Sequence, residues 1–267
     1  MSTATAVVAE SPILLREDTD GVTTLTLNRP LQFNALSGEL LDALQAELER
    51  IEGDASVRVV ILAGAGKAFC PGHDLKEMRS NPRREFIQGL FQRCSRMMMT
   101  ISRIPQPVIA KIHGIATAAG CQLVAQCDLA VATENARFAT SGINVGLFCA
   151  TPGVPLSRNL SRKRAMEMLL TGDFIDARTA LDWGLVNRVV PAEQLDAATQ
   201  ELAGKIKAKT PVAVAAGKRV FYRQLEQGLE QAYAMASETM TCNMMAEDAA
   251  EGIDAFMQKR PPVWRGR

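Results

Sequence analysis

Histidine is scarce in this sequence, and the cysteines lack the spacing of a metal site. The 267 residues contain two histidines, His73 and His113, and six cysteines. None of the cysteines forms a C-x-x-C pair, and most lie in apolar or helical stretches. We therefore expect no zinc site, and we predict buried, reduced thiols at Cys70, Cys94, Cys121, Cys127, Cys149 and Cys242.

The sequence also lacks an excess of charge of either sign. Its 30 Lys and Arg residues stand against 29 Asp and Glu residues, for a formal net charge of +1, and no basic run occurs. A nucleic-acid-binding surface needs a concentrated positive field, so we expect no nucleic-acid partner. No stretch reaches the length of about 18 apolar residues that a membrane span needs.

The first residues, MSTATAVVAESPILLRED, lack two further features. They have neither the charged and apolar regions of a secretory signal nor the arginine content of a transit peptide. We therefore expect a cytoplasmic protein.

Apolar residues make up 47% of the chain, enough for a large core. Up to about residue 190, strand and helix patterns alternate, which is typical of an α/β fold. The predicted strands cover residues 12–18, 22–28, 57–63, 108–112 and 128–132, and the predicted helices cover 38–51 and 83–103. The segments 191–209, 211–224, 229–245 and 246–258 all have helical patterns. The methionine run at 97–99 is interpreted as core, with an acyl pocket as the alternative.

Two loops rich in small residues follow predicted buried strands. They are GAGKAFCPGHDL, residues 64–75, and HGIATAAGCQL, residues 113–123. Loops at the carboxyl ends of strands are where α/β folds place ligands. A helix that begins after the second loop would direct free N–H groups at an anion or oxyanion. Tight packing is the alternative explanation for the glycines.

Taken together, these segments resemble the crotonase, or enoyl-CoA hydratase/isomerase, superfamily. The resemblance rests on GAGKAFCPGHDLKEM, PQPVIAKIHGIATAAGCQLVAQCDLAVAT, RFATSGINVGLFCATPG and MLLTGDFIDARTALDWGLVNRVVP, in that order. It implies a spiral core of ββα turns over residues 1–195 and a helical trimerisation or lid region over 196–267. It also implies an acyl-CoA thioester ligand, no tightly bound cofactor, and a homotrimer or a hexamer formed by two trimers.

The resemblance also implies a site. The family's oxyanion hole consists of two backbone N–H groups, which correspond here to His73 and Ala119. The matching positions for coenzyme A contacts are Lys67, Pro71, His73, Leu75, Phe256 and Lys259, of which the last two often come from a neighbouring subunit. Lys259 as a solvated charge at a helix end is the alternative.

The two carboxylates that the hydratases use as acid and base correspond to Gln122 and Gly142 in this chain. Neither residue titrates, so hydration of a double bond lacks its usual proton carriers. The polar residues left nearby are His73, Thr140, Ser141, Asn144, Cys149 and Thr151. The segment GHD resembles a decarboxylase branch of the superfamily. His73 as a residue at the pocket rim is the alternative, and His113 is interpreted as structural.

Three functions remain open at this point. The first is an acyl-CoA enzyme that uses mainly the oxyanion hole to stabilise a thioester enolate. The second is a decarboxylase-like form of that activity. The third is a non-catalytic acyl-CoA-binding protein.

Overall fold

The computed structural model of the protein describes residues 11–267. Residues 1–10, on which most of the prediction of no leader segment rests, lie outside the described residues. The described chain contains nine strands: β1 Leu14–Thr19, β2 Val22–Leu27, β3 Val59–Gly64, β4 Val108–Ile112, β5 Ile115–Thr117, β6 Leu129–Thr133, β7 Arg137–Ala139, β8 Ile175–Asp176 and β9 Arg188–Val190.

Eleven α-helices accompany the strands in this part of the chain. They are α1 Gly38–Glu52, α2 Leu75–Ser80, α3 Arg84–Arg103, α4 Ala119–Gln126, α5 Ala150–Asn159, α6 Arg162–Thr171, α7 Ala177–Trp183, α8 Leu195–Lys207, α9 Pro211–Gln224, α10 Leu229–Met244 and α11 Glu247–Met257. Short 3-10 helices occupy Pro30–Gln32, Ser141–Val145 and Ala192–Gln194.

The strands form two sheets. The larger has the order β1-β2-β3-β4-β6-β9, and the smaller has the order β5-β7-β8. In the larger sheet β1 is antiparallel to β2, and all later neighbours are parallel. Because a parallel sheet is covered on both faces, its strands are nearly continuous apolar runs, as β3 is in the sequence VVILAG.

Alternate residues of β3 enter two different apolar clusters. Val60 and Leu62 belong to the main core, which also receives α1, α3 and α4. Val59 and Ile61 face a smaller cluster on the opposite side of the sheet, where α8 contributes Leu195 and Ala203. The period of two therefore places one side chain in each layer in turn.

The predicted α/β class is confirmed, and most element bounds agree with the sequence patterns to within two residues. Ser37 caps α1, and its side chain accepts a hydrogen bond from Leu40 N–H. The predicted boundary at residue 195 coincides with the first residue of α8, which packs on the sheet of the core. The division into a core and a helical region stays a prediction.

The last three helices differ from the rest of the described chain because they leave many large apolar side chains exposed. α9 and α10 contain no buried residue. Large apolar side chains that are more than half exposed occur along this part of the chain, namely Phe221, Leu225, Leu229, Tyr233, Met240, Met244, Met245, Phe256 and Met257.

Three smaller predictions can also be compared with the structure. Five cysteines are buried as predicted, but Cys242 on α10 is exposed, because that helix has no cover. Met97 and Met98 lie in the core, whereas Met99 is 45% exposed. None of the helices between residues 11 and 267 combines the length and the apolar character needed to cross a membrane.

Candidate active site

The two glycine-containing loops follow the neighbouring strands β3 and β4 and lie against each other. Cys70 N–H donates to the Ile115 carbonyl at 3.1 Å, and Thr117 N–H donates to the Cys70 carbonyl at 3.0 Å. His113 Nε2 donates to the Gly66 carbonyl at 2.9 Å. This contact between the loops supports the structural role predicted for His113. The arrangement joins the loops into one frame at the carboxyl edge of the sheet.

The backbone on both sides of His73 is fixed by Leu36. Leu36 N–H donates to the Gly72 carbonyl at 2.8 Å, and Asp74 N–H donates to the Leu36 carbonyl at 3.1 Å. In such a parallel bridge the N–H of the middle residue points away from the partner strand. No acceptor for His73 N–H occurs among the described residues. Its donor is therefore held in place but free.

A second free donor lies at the start of α4. Ala119 is the first residue of this helix, so its N–H has no partner within the helix. The preceding residue, Ala118, has φ +50° and ψ −120°, a conformation that costs an L-residue on the order of 1–3 kcal/mol. Ala118 N–H donates to the Ala139 carbonyl at 3.0 Å, which helps to hold this turn.

Two glycines allow the donors to approach each other. A Cβ atom on Gly72, whose φ is +104°, would lie 2.9 Å from Ala118 Cβ and 3.1 Å from Ala119 N. A Cβ atom on Gly120 would lie 2.0 Å from the Cys70 carbonyl oxygen. Any side chain at either position would push the loops apart, so the sequence signal in these glycines is close packing around a pair of N–H groups.

The His73 side chain is largely buried and lies against Phe91 of α3. The two rings meet edge to face, with centroids 5.3 Å apart. Neither ring nitrogen has a hydrogen-bond partner among the described residues. Burial lowers the pKa of His73, and the nearby Leu36 carbonyl opposes that shift only in part. The imidazole is therefore neutral near pH 7, with one N–H and one acceptor nitrogen.

Buried side-chain oxygens without a hydrogen-bond partner among the described residues occur on Gln106, just before β4, and on Gln122. Gln122 lies on the first turn of α4 and is 4% exposed. Its Oε1 atom is buried and has no hydrogen-bond donor among the described residues. A buried carbonyl oxygen left in this state costs roughly 1–3 kcal/mol. The position predicted to lack an acid therefore holds a neutral acceptor that is enclosed and unused.

The position of the second missing acid, Gly142, is closed. A Cβ atom there would lie 2.7 Å from both Cys149 Sγ and the Leu147 carbonyl oxygen. The loop is held by Leu147 N–H, which donates to the Gly142 carbonyl at 2.9 Å. Burial raises the pKa of the Cys149 thiol, and the Gly142 N–H beside the sulfur offsets part of that shift. Cys149 therefore fills space and is poorly suited to act as a nucleophile.

The remaining polar candidates are Thr140, Asn144, Ser141 and Thr151. The first three form hydrogen bonds within the described chain, and no side-chain hydrogen bond is found for Thr151. Thr140 Oγ1 donates to the Met168 carbonyl at 2.6 Å, and Asn144 Nδ2 donates to the Gly172 carbonyl at 3.4 Å. The Ser141 and Thr117 hydroxyl oxygens lie 2.7 Å apart, a pair that the sequence does not predict because no spacing rule links the two residues. Thr151 is half-buried, and no side-chain hydrogen bond to it is found in the described part of the chain.

The positions predicted to contact coenzyme A fall into two groups. Lys67 and Leu75 are exposed on the first loop, and Pro71 is half-buried between them. Phe256 is 84% exposed on the last turn of α11, and Lys259 follows the helix with φ +54°. No hydrogen bond or ring contact within residues 11–267 connects this second group to the first loop.

An open groove of about 620 Å³ lies along α3. Its lining includes Phe91, the residue that contacts His73, together with Arg84, Ile87, Gln88, Gln92, Ser95 and Met99. Phe91 stands at helical spacing in the sequence, a signal that equally fits core packing. Within the described residues, no three His, Cys, Asp or Glu side chains come together as a metal ion would require.

Comparison with known proteins places this chain in a family. A family profile described as enoyl-CoA hydratase/isomerase matches residues 17–267. Mouse "Enoyl-CoA hydratase domain-containing protein 3, mitochondrial" is 46% identical over 245 residues, which cover 92% of this chain and 82% of the relative. The segments ATAAGCQLVAQCD and SGINVGLFCATPG predict a likeness to this branch, and the identity confirms it.

Solved structures agree with the sequence relatives. A crystal structure named as an enoyl-CoA hydratase of Mycobacterium smegmatis is 59% identical and superposes with a TM-score of 0.94, covering 95% of this chain and 99% of that one. Human enoyl Coenzyme A hydratase domain-containing protein 3 is 45% identical with a TM-score of 0.92, over 95% and 100% of the two chains. These likenesses confirm the predicted crotonase fold.

The same comparison corrects one prediction. The mouse, Xenopus laevis and human relatives are named as mitochondrial proteins, which contradicts the cytoplasmic location expected from the first residues of the sequence. The expectation was wrong, because a low arginine content in the first residues does not separate these two compartments. The profile match over residues 17–267 and the identities above give one conclusion about identity: the chain belongs to the enoyl-CoA hydratase/isomerase family.

Proposed function

We propose that the chain binds acyl-CoA thioesters and uses the N–H groups of His73 and Ala119 to polarise the thioester carbonyl. The observation that carries this proposal is the pair of free backbone donors, held close together by Gly72 and Gly120. In enzymes that use such donors, each contributes roughly 2.7–4 kcal/mol to the stability of the transition state. The chemistry supported is the formation of a thioester enolate.

The residues around the donors favour reactions that need no protein carboxylate. Gln122 cannot accept a proton, and Gly142 has no side chain and no space for one. Hydration of an enoyl thioester would need two proton carriers at these positions. Decarboxylation belongs to the reactions that remain, since breaking the bond between Cα and the carboxylate releases CO₂ and leaves the electron pair on the enolate, which water can protonate.

Coenzyme A enters this proposal as part of the substrate. Lys67, Pro71, His73 and Leu75 form one side of its site on the first loop. Phe256 and Lys259 provide the other side from a neighbouring subunit, which is supported by the 84% exposure of Phe256. A homotrimer, or a hexamer of two trimers, would cover the apolar side chains of α9, α10 and α11. Sedimentation velocity should then give three or six times the 28.9 kDa of one chain.

Infrared spectroscopy of a bound thioester tests the proposal without requiring turnover. Butyryl-CoA labelled with ¹³C at the carbonyl should show a lower stretching frequency when bound than in water, because two N–H groups donate to its oxygen. The variant Gly72→Ala should lose most of that shift, since its Cβ atom would separate the donors. Gly89→Ala is the matched control, because no atom lies within 4 Å of the added Cβ.

Two results would refute the proposal. One is the absence of butyryl-CoA binding by the folded wild-type protein. The other is a bound carbonyl with the frequency that it has in water. A panel of acyl-CoA thioesters, assayed for product, then decides between the two remaining functions. Any product formed by the wild type and lost in Gly72→Ala supports an enzyme, and binding with no product supports a non-catalytic acyl-CoA-binding protein.

A further inference from the structure

The chain turns back on itself at the end of α11. Lys259 N–H donates to the Phe256 carbonyl at 3.2 Å, and Arg260 N–H donates to the Ala255 carbonyl at 3.0 Å. This pair of hydrogen bonds ends a helix at a residue in the left-handed conformation, here Lys259 with φ +54°. Glycine is the usual residue at such a position, because a side chain makes the conformation unfavourable. A lysine is therefore held at a strained point of the turn.

Glu251, two turns earlier on α11, ties the returning segment to the helix. Its carboxylate accepts hydrogen bonds from Arg260 Nη1 at 2.6 Å and from Arg260 Nη2 at 2.8 Å. It also accepts one from Val263 N–H at 2.8 Å. The hydrogen bonds from Arg260 and Val263 lower the pKa of Glu251 to about 2, so the carboxylate is charged near neutral pH. A single exposed ion pair stabilises little, but a two-pronged pair joined to a backbone donor fixes the geometry of the turn.

The end of the chain is anchored separately from this turn. Asp248, three residues before Glu251, accepts hydrogen bonds from Arg265 N–H at 2.7 Å and from Gly266 N–H at 2.9 Å. Asp248 is 1% exposed, so this anchor is enclosed. Loss of the Glu251 carboxylate should therefore loosen residues 259–263 and leave the last residues in place.

The turn leaves one cation available to a partner. Arg260 is occupied by Glu251, whereas Lys259 is exposed, as is Phe256 on the preceding turn of the helix. The charged groups of coenzyme A are phosphates, with which an ammonium group forms charge-assisted hydrogen bonds. Retention of lysine where glycine would relieve the strain indicates that the Lys259 side chain has a function outside its own subunit.

We infer that Glu251 is a positioning residue, which holds the turn at residues 259–263 so that Lys259 directs its ammonium group to the phosphates of coenzyme A in a neighbouring subunit. This inference rests on the proposed function, because it needs coenzyme A to lie between the first loop and Lys259. Glu251 itself touches no part of the ligand. Without its carboxylate, Lys259 would relax to the right-handed conformation that a side chain prefers, and the ammonium group would move away.

Two thioesters test the inference by isothermal titration calorimetry. They are butyryl-CoA and S-butyryl-pantetheine, which carries the same acyl group and has no phosphate. Lys259→Met should weaken the binding of butyryl-CoA roughly tenfold, the effect of one hydrogen bond to a charged group. Glu251→Gln keeps the size of the side chain and removes its charge, and it should weaken the binding of butyryl-CoA by a comparable factor. Neither variant should change the binding of S-butyryl-pantetheine.

A double variant shows whether Glu251 acts through Lys259. In the Lys259→Met background, Glu251→Gln should add less than about a twofold loss, because the group that it positions is gone. Glu247→Gln is the matched control, since it removes an exposed contact with Arg267 from the same helix and should keep the wild-type affinity. Sedimentation velocity should show that every variant keeps the assembly of the wild type.

Lys259→Gly tests the strain at the turn and does not depend on the folding of Glu251→Gln. Glycine adopts the left-handed conformation freely, so this variant should have a higher free energy of unfolding than the wild type. It should nevertheless bind butyryl-CoA as weakly as Lys259→Met, because the cation is missing. Urea denaturation and calorimetry measure the two effects.

The outcomes separate this inference from the proposed function. If the wild type does not bind butyryl-CoA, the proposed function fails and the inference fails with it. If Lys259→Met or Glu251→Gln binds butyryl-CoA as tightly as the wild type, the inference is overturned and the thioester site at His73 and Ala119 stands.

Three further results would overturn the inference alone. Glu251→Gln acts on the whole structure if it weakens both thioesters equally or changes the assembly. It acts independently of Lys259 if its full loss appears in the Lys259→Met background. A lower free energy of unfolding in Lys259→Gly would show that the turn is not strained.

Discussion

Two largely enclosed polar clusters in the described part of the chain have opposite hydrogen-bonding states. In the first, around Lys218 of α9, the Lys218 ammonium group, the Asp128 carboxylate and the Tyr222 hydroxyl all have partners. Lys218 Nζ donates to the carbonyl oxygens of Ile101 and Gln106 and to Asp128, at 2.7, 2.8 and 2.7 Å. Asp128 also accepts hydrogen bonds from Val108 N–H at 2.7 Å and from Tyr222 at 2.8 Å.

In the second cluster, at the candidate active site, the polar groups have no such partners. Within residues 11–267, the His73 ring nitrogens and Gln122 Oε1 are buried with no hydrogen bond, and the N–H groups of His73 and Ala119 have no acceptor. A cluster that is complete within the chain stabilises the fold, because each buried polar group is compensated. A cluster that is incomplete lowers stability, and the proposed acyl-CoA ligand would supply the missing partners.

The largest expected effect comes from breaking the complete cluster. Lys218→Met should lower the free energy of unfolding by about 3–5 kcal/mol, because Asp128 is left buried without its cation. The matched control is Lys205→Met, which removes an exposed ion pair with Glu201 and should cost at most about 1 kcal/mol. Urea denaturation at one fixed protein concentration measures both. A loss below about 1 kcal/mol for Lys218→Met would show that the cluster is not structural.

Removing a polar group from the incomplete cluster should not lower the free energy of unfolding. Without ligand, Gln122→Met should leave the free energy of unfolding unchanged or raise it by about 1 kcal/mol, since it removes an unpaired buried carbonyl. Gln126→Met should lower the same quantity by about 1 kcal/mol, because its amide has a partner in Ser102. The contrast disappears if Gln122→Met is the more damaging of the two.

Sequence patterns predict some features of this molecule and not others, and the two clusters belong to the second group. Periodicity and capping predict the main elements well, and the helix predicted over 211–224 is observed as Pro211–Gln224. The small residues of the two loops correctly predict a close approach. These signals are local, since each depends on residues within one turn or one strand.

What the sequence does not reveal is contact between distant segments. Gly142 predicts an absent acid, but only the fold shows that the Leu147 carbonyl and Cys149 Sγ occupy the space. A glutamate restored at this position would therefore require the loop to move, which the pattern alone does not indicate. Likewise, Lys218 and Asp128 are 90 residues apart, and nothing in this spacing predicts that their side chains form an ion pair.

The smallest expected effect is the dependence of stability on pH through His73. Burial lowers its pKa in the folded chain, whereas the unfolded chain has a value of about 6.5. Between these two values the unfolded state binds more protons, so the free energy of unfolding falls as the pH is lowered below about 6.5. One group contributes a slope of at most ~1.4 kcal/mol per pH unit.

His73→Leu should flatten the slope between about pH 6.5 and 5.5, above the range in which carboxylates titrate. His113→Asn, which changes the other histidine, should keep it. An equal slope in wild type and His73→Leu would mean that His73 is solvated and not enclosed, and the contrast between the two clusters would then rest on Gln122 alone.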